Sequence, residues 1–575
     1  MTGQTVAQTI ATALRRHGVE IIFGQSLPSA VVLACEAIGI RQFAYRQENM
    51  GGAMADGYAR VSGRTAVVCA QNGPAATLLV PPLAEALKAS IPIVALVQDV
   101  ERPQFDRNAF QELDHIALFS SCAKWVRRLH TPDRVDDYVD AAFLAAGSGR
   151  PGPAVLLLPA DLLRERSVDS KRVRTRSYGQ WPIDRTRPDA ESVEAAARAI
   201  AEARSPVVLA GGGAVSPAAA KALASLQDRA HLPVFTTNMG KGAVDETHEL
   251  SCGVLGALNG PLSLGFRTRT MLDEADLVLL IGTRTNQNGM DSWRLIAPEA
   301  RVIHIDVDPN EIGRNYEAMR LVGDAATTLD ALADVLDPAD LSTRKAGRPE
   351  LVRRIKDAWE NFDDARLPVC GSNSTPIRPE RVMREVQERL TPRTIVVADA
   401  SYSSMWIVGQ LRGSQPGQRF LTPRGLAGLG WGLPLAIGAK LARADAPVVA
   451  IVGDGGFAHS WAELETLVRG SVPLVVVVLN NGVLGYQKDA ETVKFGKFTT
   501  ACHLAPVDHA AIARACGCRA ATVDAPGDIG AILEEALASR EPWLVDVISD
   551  PDAHPPISLY HGTLDHEVAE AGAMK

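Results

Sequence analysis

Short, continuously apolar runs of Val, Ile and Leu recur along this chain, bounded by Gly, Pro or Asn and alternating with Ala-rich stretches of helical character. Val67–Ala70, Ile93–Val97 and Ala154–Leu158 form one cluster. Val207–Ala210, Leu277–Ile281 and Val302–Val307 form a second, and Thr394–Ala398, Val448–Val452 and Leu474–Leu479 a third. A strand that is apolar at consecutive positions must be covered on both faces, as in a parallel sheet between two layers of helices. Three clusters in 575 residues predict an α/β protein of three doubly wound parallel-sheet domains. Polar, proline-punctuated stretches at 164–188 and 337–350 read as linkers. The expected domains are therefore 1–165, 185–340 and 375–550, with a tail, 551–575, that lacks periodicity and is expected to be a flap or disordered.

Acidic residues outnumber basic ones, 67 to 59, and no Lys/Arg block stands out. Neither nucleic acid nor a membrane is therefore expected as a partner. Apolar runs such as Pro473–Leu479 are too short to span a bilayer, and Met1–Thr5 show no basic-then-apolar leader pattern. Eight scattered cysteines without a Cys-x-x-Cys argue against a disulfide framework or zinc site and for a reducing cytoplasm.

The most informative segment follows Val448–Val452. It reads Gly453-Asp454-Gly455-Gly456-Phe457, then a helical stretch, then the apolar run Leu474–Leu479 and Asn480-Asn481-Gly482. Asn481 lies 27 residues after Asp454, the length of one strand–helix–strand unit, so the two strand C-termini lie side by side where open α/β sheets bind ligands. Glycines at the turn let the backbone approach a phosphate, and the following helix N-terminus favours its charge. Asp454, Asn481 and the Val483 carbonyl offer hard oxygen ligands suited to Mg²⁺ bridging a diphosphate.

Gly453-Asp454-Gly455 and Asn480-Asn481 resemble the binding motif of thiamine-diphosphate-dependent enzymes. From about residue 5 to 550 the chain resembles the acetolactate synthase (acetohydroxyacid synthase) large-subunit group within them. The resemblance implies a pyrimidine-binding domain, a central domain and a diphosphate-binding domain, with thiamine diphosphate between the first domain of one subunit and the third of another. A homodimer would be the minimum unit and a homotetramer is expected. Tyr45–Met50 followed by Ala53–Arg60 resembles the stretch around the glutamate that activates the cofactor's pyrimidine ring, and Glu48 takes that position. Asn72-Gly73-Pro74 matches a Gly-Pro-Gly turn with Ala75 in place of the last glycine. Arg424–Pro434 matches the glycine-rich loop beneath the cofactor, where the Ala427 carbonyl would accept from the 4′-amino group and Leu429 would hold the cofactor bent. Tyr402, Ser403 and Ser404 occupy the position of diphosphate contacts. Gly453, Gly455, Gly456, Asn481, Val483, Leu484 and Gly485 complete the cofactor set. Gln111, in Ala109-Phe110-Gln111-Glu112, would contact the reacting groups, and Lys124 is either a substrate anchor or an exposed lysine.

The substrate side departs from the pattern. Asn288 stands where the group carries an arginine for the acceptor carboxylate, Ala490 replaces an aromatic specificity residue, and Gly24–Pro28 lacks a glycine pair. Lys488 or Arg284 is a candidate replacement charge. The expected reaction is Mg²⁺-dependent decarboxylation of a 2-oxo acid with transfer of the acyl unit to a carbonyl acceptor. A 2-hydroxyacyl-CoA lyase, an oxalyl-CoA decarboxylase-like enzyme and a non-catalytic regulatory paralogue stay open. In the central domain, Gly211-Gly212-Gly213, Thr237-Asn238-Met239, Gly282-Thr283-Arg284 and Asp306-Val307 follow the pattern relatives use for FAD. Asn286 and Asn288 depart from it, so FAD, an adenine nucleotide, CoA or nothing remain alternatives there. His115, His459 and His503 receive no catalytic role.

Overall fold

The computed structural model describes residues 3–167, 173–337, 340–560 and 564. Three six-stranded sheets, parallel throughout, account for the three apolar clusters. The first contains β1 (Ile21–Phe23), β2 (Arg41–Phe43), β3 (Ala66–Ala70), β4 (Ile93–Asp99), β5 (Trp125–Arg128) and β6 (Ala154–Pro159), in the order β2-β1-β3-β4-β6-β5. The second contains β7 (Pro206–Ala210), β8 (Val234–Thr236), β9 (Ser251–Val254), β10 (Leu277–Ile281), β11 (Arg301–Asp306) and β12 (Met319–Val322), in the order β12-β11-β10-β7-β8-β9. The third contains β13 (Ile395–Ala398), β14 (Phe420–Leu421), β15 (Val448–Gly453), β16 (Val475–Asn480), β17 (Arg519–Val523) and β18 (Trp543–Ile548), in the order β14-β13-β15-β16-β18-β17. The first and third sheets thus share one topology. The middle sheet has the dinucleotide-binding order, whose ligand crevice lies where β7 and β10 diverge.

The first and third domains share a hydrophobic core built around two helices, α1 (Glu48–Ser62) and α4 (Gly432–Ala442). Their backbones touch because two glycines allow it. A Cβ on Gly57 would lie 2.2 Å from the Leu435 carbonyl oxygen, and one on Gly438 would lie 1.9 Å from that of Met54. The approach brings a buried Asp56–Arg60 ion pair against the third domain, where Arg60 Nη1 donates to the Thr422 carbonyl at 3.0 Å.

One linker expectation and one tail expectation are corrected. Residues 342–350 are helical, because α2 runs from Ser342 to Cys370 with Pro349 and Pro368 inside it. Its N-terminal part is held on the central domain by Arg344, which donates to the Ala230 and Ala203 carbonyls, and by Arg348, paired with Asp228 and Glu249. The stretch after Ser549 is also ordered as far as Tyr560. Lys488 Nζ donates to the Pro551 carbonyl and to Asp552, and Ser558 Oγ donates to Asp291 Oδ1 at 2.6 Å. Apart from Leu564, the rest of the expected tail, 561–575, lies outside the described residues. All eight cysteines are free thiols. No helix among the described residues is long and apolar enough to cross a membrane.

Candidate active site

Strand register places the diphosphate and metal motif. β15 and β16 pair in parallel with Gly453 opposite Leu479, so both chains leave the sheet side by side. Asp454 is buried just beyond β15. Its Oδ1 accepts from the Gly455 N–H at 2.8 Å and its Oδ2 from the Gly482 N–H at 2.7 Å, which ties the two turns together. Burial raises its pKa despite those bonds, so a nearby cation would stabilise the carboxylate. Asn481 Oδ1 accepts from the Val483 N–H at 3.1 Å. Asp454, Asn481 and the Val483 carbonyl could offer Mg²⁺ hard oxygen ligands. A Cβ on Gly453 would meet nothing within 4 Å, leaving open space beside the turn. Gly456 is packed instead: a Cβ there would lie 2.2 Å from Asp399 Oδ2. Gly455 packs on Leu484, and Gly485, at the start of α5 (Gly485–Phe495), packs on the Tyr402 ring.

Asp399, at the end of β13, is fully enclosed and organises the neighbouring loop. It accepts from the N–H groups of Ala400, Gly430 and Trp431 at 2.8–3.0 Å. The other end of that loop is held by the first domain. Glu85 accepts from the N–H groups of Gly425 at 2.6 Å, Leu426 at 2.5 Å and Ala427 at 3.2 Å. Ala427 is left-handed, with φ 63°, and both it and Leu429 stay exposed. Two carboxylates therefore shape a loop whose exposed crest is the expected pyrimidine and thiazolium seat.

The hydroxyls of α3 (Tyr402–Gln410) are already engaged. Tyr402 donates to Asp489 at 2.6 Å and contacts the Tyr560 hydroxyl at 2.9 Å. Ser403 donates to the Ala400 carbonyl and Ser404 to that of Ser401. The helix can therefore offer an anion its first-turn N–H groups rather than these side chains.

Glu48 opens α1 and is half-buried in the single chain. The two N–H groups just before it, Arg46 and Gln47, donate to Glu463 Oε1 of the third domain at 3.0 and 3.3 Å. Gly73 and Gln111 meet directly: a Cβ on Gly73 would lie 2.7 Å from the Gln111 Cβ. Gln111 has φ 59°, and its side-chain oxygen accepts from Gln71 at 3.0 Å. The Gly73 N–H donates to Nε2 of buried His115 at 3.0 Å, while His115 Nδ1 faces Asp99 at 3.1 Å. His115 thus has a structural part in the turn that its sequence context did not reveal. His459 and His503 are exposed.

Lys124 is an exposed lysine, but its ammonium is engaged. Its Nζ donates to the Ser148 and Arg150 carbonyls, and burial lowers its pKa to about 8. Lys488 is likewise tied to the chain after Ser549. Arg284 instead lines a cavity of about 700 Å³ at the β7/β10 divergence, together with Gly212, Gly213, Thr237, Asn288 and Asp306. Close contact of Gly211 and Gly213 with Gly282 shapes its floor.

Residues 4–118 match the N-terminal TPP binding domain of thiamine pyrophosphate enzymes, 193–332 their central domain and 399–547 their C-terminal TPP binding domain. The chain is 32% identical to a probable acetolactate synthase large subunit of Methanocaldococcus jannaschii, over 95% of this chain and 92% of that one. It is 31% identical to an acetolactate synthase of Mycobacterium bovis, over 99% and 92%. It is 32% identical to an acetolactate synthase large subunit of Parasynechococcus marenigrum, over 94% and 87%.

Proposed function

The chain belongs to the thiamine pyrophosphate enzyme family, as a thiamine-diphosphate-dependent enzyme resembling the acetolactate synthase large subunit, and we propose that it decarboxylates a 2-oxo acid and transfers the acyl unit to a carbonyl acceptor with Mg²⁺ as second cofactor. The observation that carries the reading is the joining of Asp454 and Gly482 across two adjacent strand ends, beside Asn481.

Thiamine diphosphate, when bound, supplies a nucleophilic carbon and an electron sink for loss of CO₂. The protein's part is positioning and proton handling. Asp454, Asn481 and the Val483 carbonyl would hold Mg²⁺, and the turns at 453–456 and 482–485 would enclose the diphosphate. Glu48 would hold a proton against the pyrimidine ring, the Ala427 carbonyl would accept from its amino group, and Leu429 would support the thiazolium. Gln111, anchored on Gly73, would orient the substrate carbonyl.

Hydrogen bonds from Gly73 and Gln111 stay within the first domain, and those of Asp454 within the third. We therefore assign the complete site to a homodimer, and its assembly to a homotetramer, in which the partner's third domain faces Glu48. Exposed apolar side chains at Leu78, Phe110, Leu113 and Ile116 support such a contact. The central cavity is assigned to the adenosine diphosphate part of FAD, supported by its strand order and glycine floor.

NMR of the products formed from pyruvate, with Mg²⁺, thiamine diphosphate and FAD supplied, tests the reading. Acetolactate is the expected product. Bound cofactor without pyruvate turnover would reject this donor.

A further inference from the structure

Arg424 begins the loop that carries Ala427 and Leu429, three residues before the first and five before the second. It also lines the large cavity. Its Nη2 donates to the Ser401 carbonyl at 3.4 Å and closely to the Ser404 hydroxyl, at the first turn of α3. Its Nε is buried without a hydrogen-bond partner.

Arg384, Arg389 and Arg412 share that orphaned Nε, yet each has a carboxylate partner, Glu385 for the first two and Asp363 for the third. Arg267 and Arg344 share it without such a partner among the described residues, but neither lines the large cavity. Arg424 has no carboxylate partner within 4.0 Å among the described residues. After burial, Tyr486 and then Glu85 influence its charge, and both Glu85 oxygens already accept loop N–H groups. Burial lowers the Arg424 pKa to about 10, the mark of a guanidinium whose charge is poorly compensated. A half-buried cation with a buried, unused Nε–H and no counter-charge is a receptor for an oxyanion.

Of the other candidates, the two lysines are engaged elsewhere. Lys124 and Lys488 cap backbone carbonyls. Asn288, where an arginine was expected, carries no charge. Arg284 lies at the end of β10 in the central crevice, with Arg150 as a like-charged neighbour. We propose that Arg424 binds the carboxylate of the 2-oxo acid, supplying from the third domain the charge that Asn288 lacks. This rests on the reaction proposed above. The same donors also suit a phosphate of the cofactor, and the test separates the two sources.

Arg424→Gln and Arg424→Lys would be compared with the wild type as Mg²⁺- and thiamine-diphosphate-loaded protein. Calorimetry measures binding of oxamate, a non-reacting 2-oxo acid mimic, and a separate titration measures thiamine diphosphate affinity. Arg424→Gln should weaken oxamate by about 30-fold or more, Arg424→Lys by less, with thiamine diphosphate affinity unchanged within about twofold. With pyruvate, KM should rise by a similar factor while kcat changes little. Equal oxamate affinity in all three proteins, including none in any, overturns the proposal. So does a loss confined to thiamine diphosphate, or to FAD in a parallel titration, which would give the guanidinium to a phosphate. If Arg424→Gln does not fold, Arg424→Lys decides alone: unchanged oxamate affinity overturns the assignment. Absence of pyruvate turnover in the wild type bears only on the donor, since oxamate binding is read independently.

Discussion

His115 Nε2 accepts the backbone N–H of Gly73 at 3.0 Å. An acceptor Nε2 requires the proton on Nδ1, which faces Asp99 Oδ1 at 3.1 Å, and Arg128 Nε donates to Asp99 Oδ2 at 2.7 Å. Burial alone would raise the Asp99 pKa, but the bonds from His115 and Arg128 outweigh it and hold the carboxyl below its ordinary value. A charged carboxylate thereby sets the tautomer that receives Gly73. His115→Phe keeps the ring, orphans the Gly73 N–H and leaves Asp99 with only Arg128 and the Val100 N–H, so it should cost about 1–3 kcal/mol in denaturant unfolding. A cost near zero would show that the turn stands without the ring.

Glu48→Gln keeps the shape of the side chain but removes its acid–base function. Turnover should fall by about 10²–10⁴-fold, with thiamine diphosphate affinity little changed. Steady-state rates alongside a cofactor titration check this, and undiminished turnover would remove Glu48 from the mechanism.

Asp454→Ala removes a ligand and orphans the Gly455 and Gly482 N–H groups, whereas Asp454→Asn keeps an oxygen but loses the charge. Both should weaken Mg²⁺-dependent thiamine diphosphate binding by about tenfold or more. Tryptophan fluorescence titrated with Mg²⁺ at fixed thiamine diphosphate reads the effect, and full affinity in Asp454→Ala would move the metal elsewhere.

Gly438→Ala places a methyl against the Met54 carbonyl, where a Cβ would be 1.9 Å away. α1 and α4 must then separate, at about 1–3 kcal/mol as overpacking of a tight contact. Thermal unfolding should show the loss. Gly63→Ala, whose Cβ meets nothing within 4 Å but whose φ is 68°, should cost about 1 kcal/mol from backbone strain alone. Equal losses would mean that contact between the helices is not what Gly438 permits.

Asp140 joins the first domain to the stretch that follows it. Burial would raise its pKa, but hydrogen bonds from His17, Arg16 and Arg174 outweigh that and lower it to about 2. The sign follows from linkage: with the folded value depressed, the stabilisation is complete above the unfolded carboxyl value near 3.8 and disappears as pH falls toward 2. Asp140→Asn should lower stability at neutral pH by about 2 kcal/mol and flatten the acid limb of a stability–pH curve. Parallel curves for the two proteins would show that the cluster contributes nothing to acid sensitivity.

Much of this protein was legible because its signals are local. A continuously apolar run such as Val448–Val452 has to lie inside a parallel sheet, so the fold class follows from the pattern alone. The Asp454–Asn481 spacing is likewise one strand–helix–strand unit, whose geometry is common to all such sheets. Linkers were harder to read. Pro349 and its polar neighbours suggested a break, but Arg344 and Arg348 hold the segment helical through contacts more than 90 residues away in sequence. The stretch after Ser549 has no periodicity because Lys488, Asp291 and Tyr402 order it, not its own residues.

The sequence by itself determined the three parallel sheets, since periodicity encodes them directly; the roles proposed for Asp454 and Asn481 rest on spacing, and that of Glu48 on a family resemblance. Only the tertiary structure decided that the first and third sheets share a topology, that His115 sustains Gly73, that Lys124 and Lys488 are engaged, and that Arg424 lacks a counter-ion. Those are facts about partners distant in sequence. Whether a charge is free depends on every neighbour within hydrogen-bond reach, and only the folded chain brings those neighbours together.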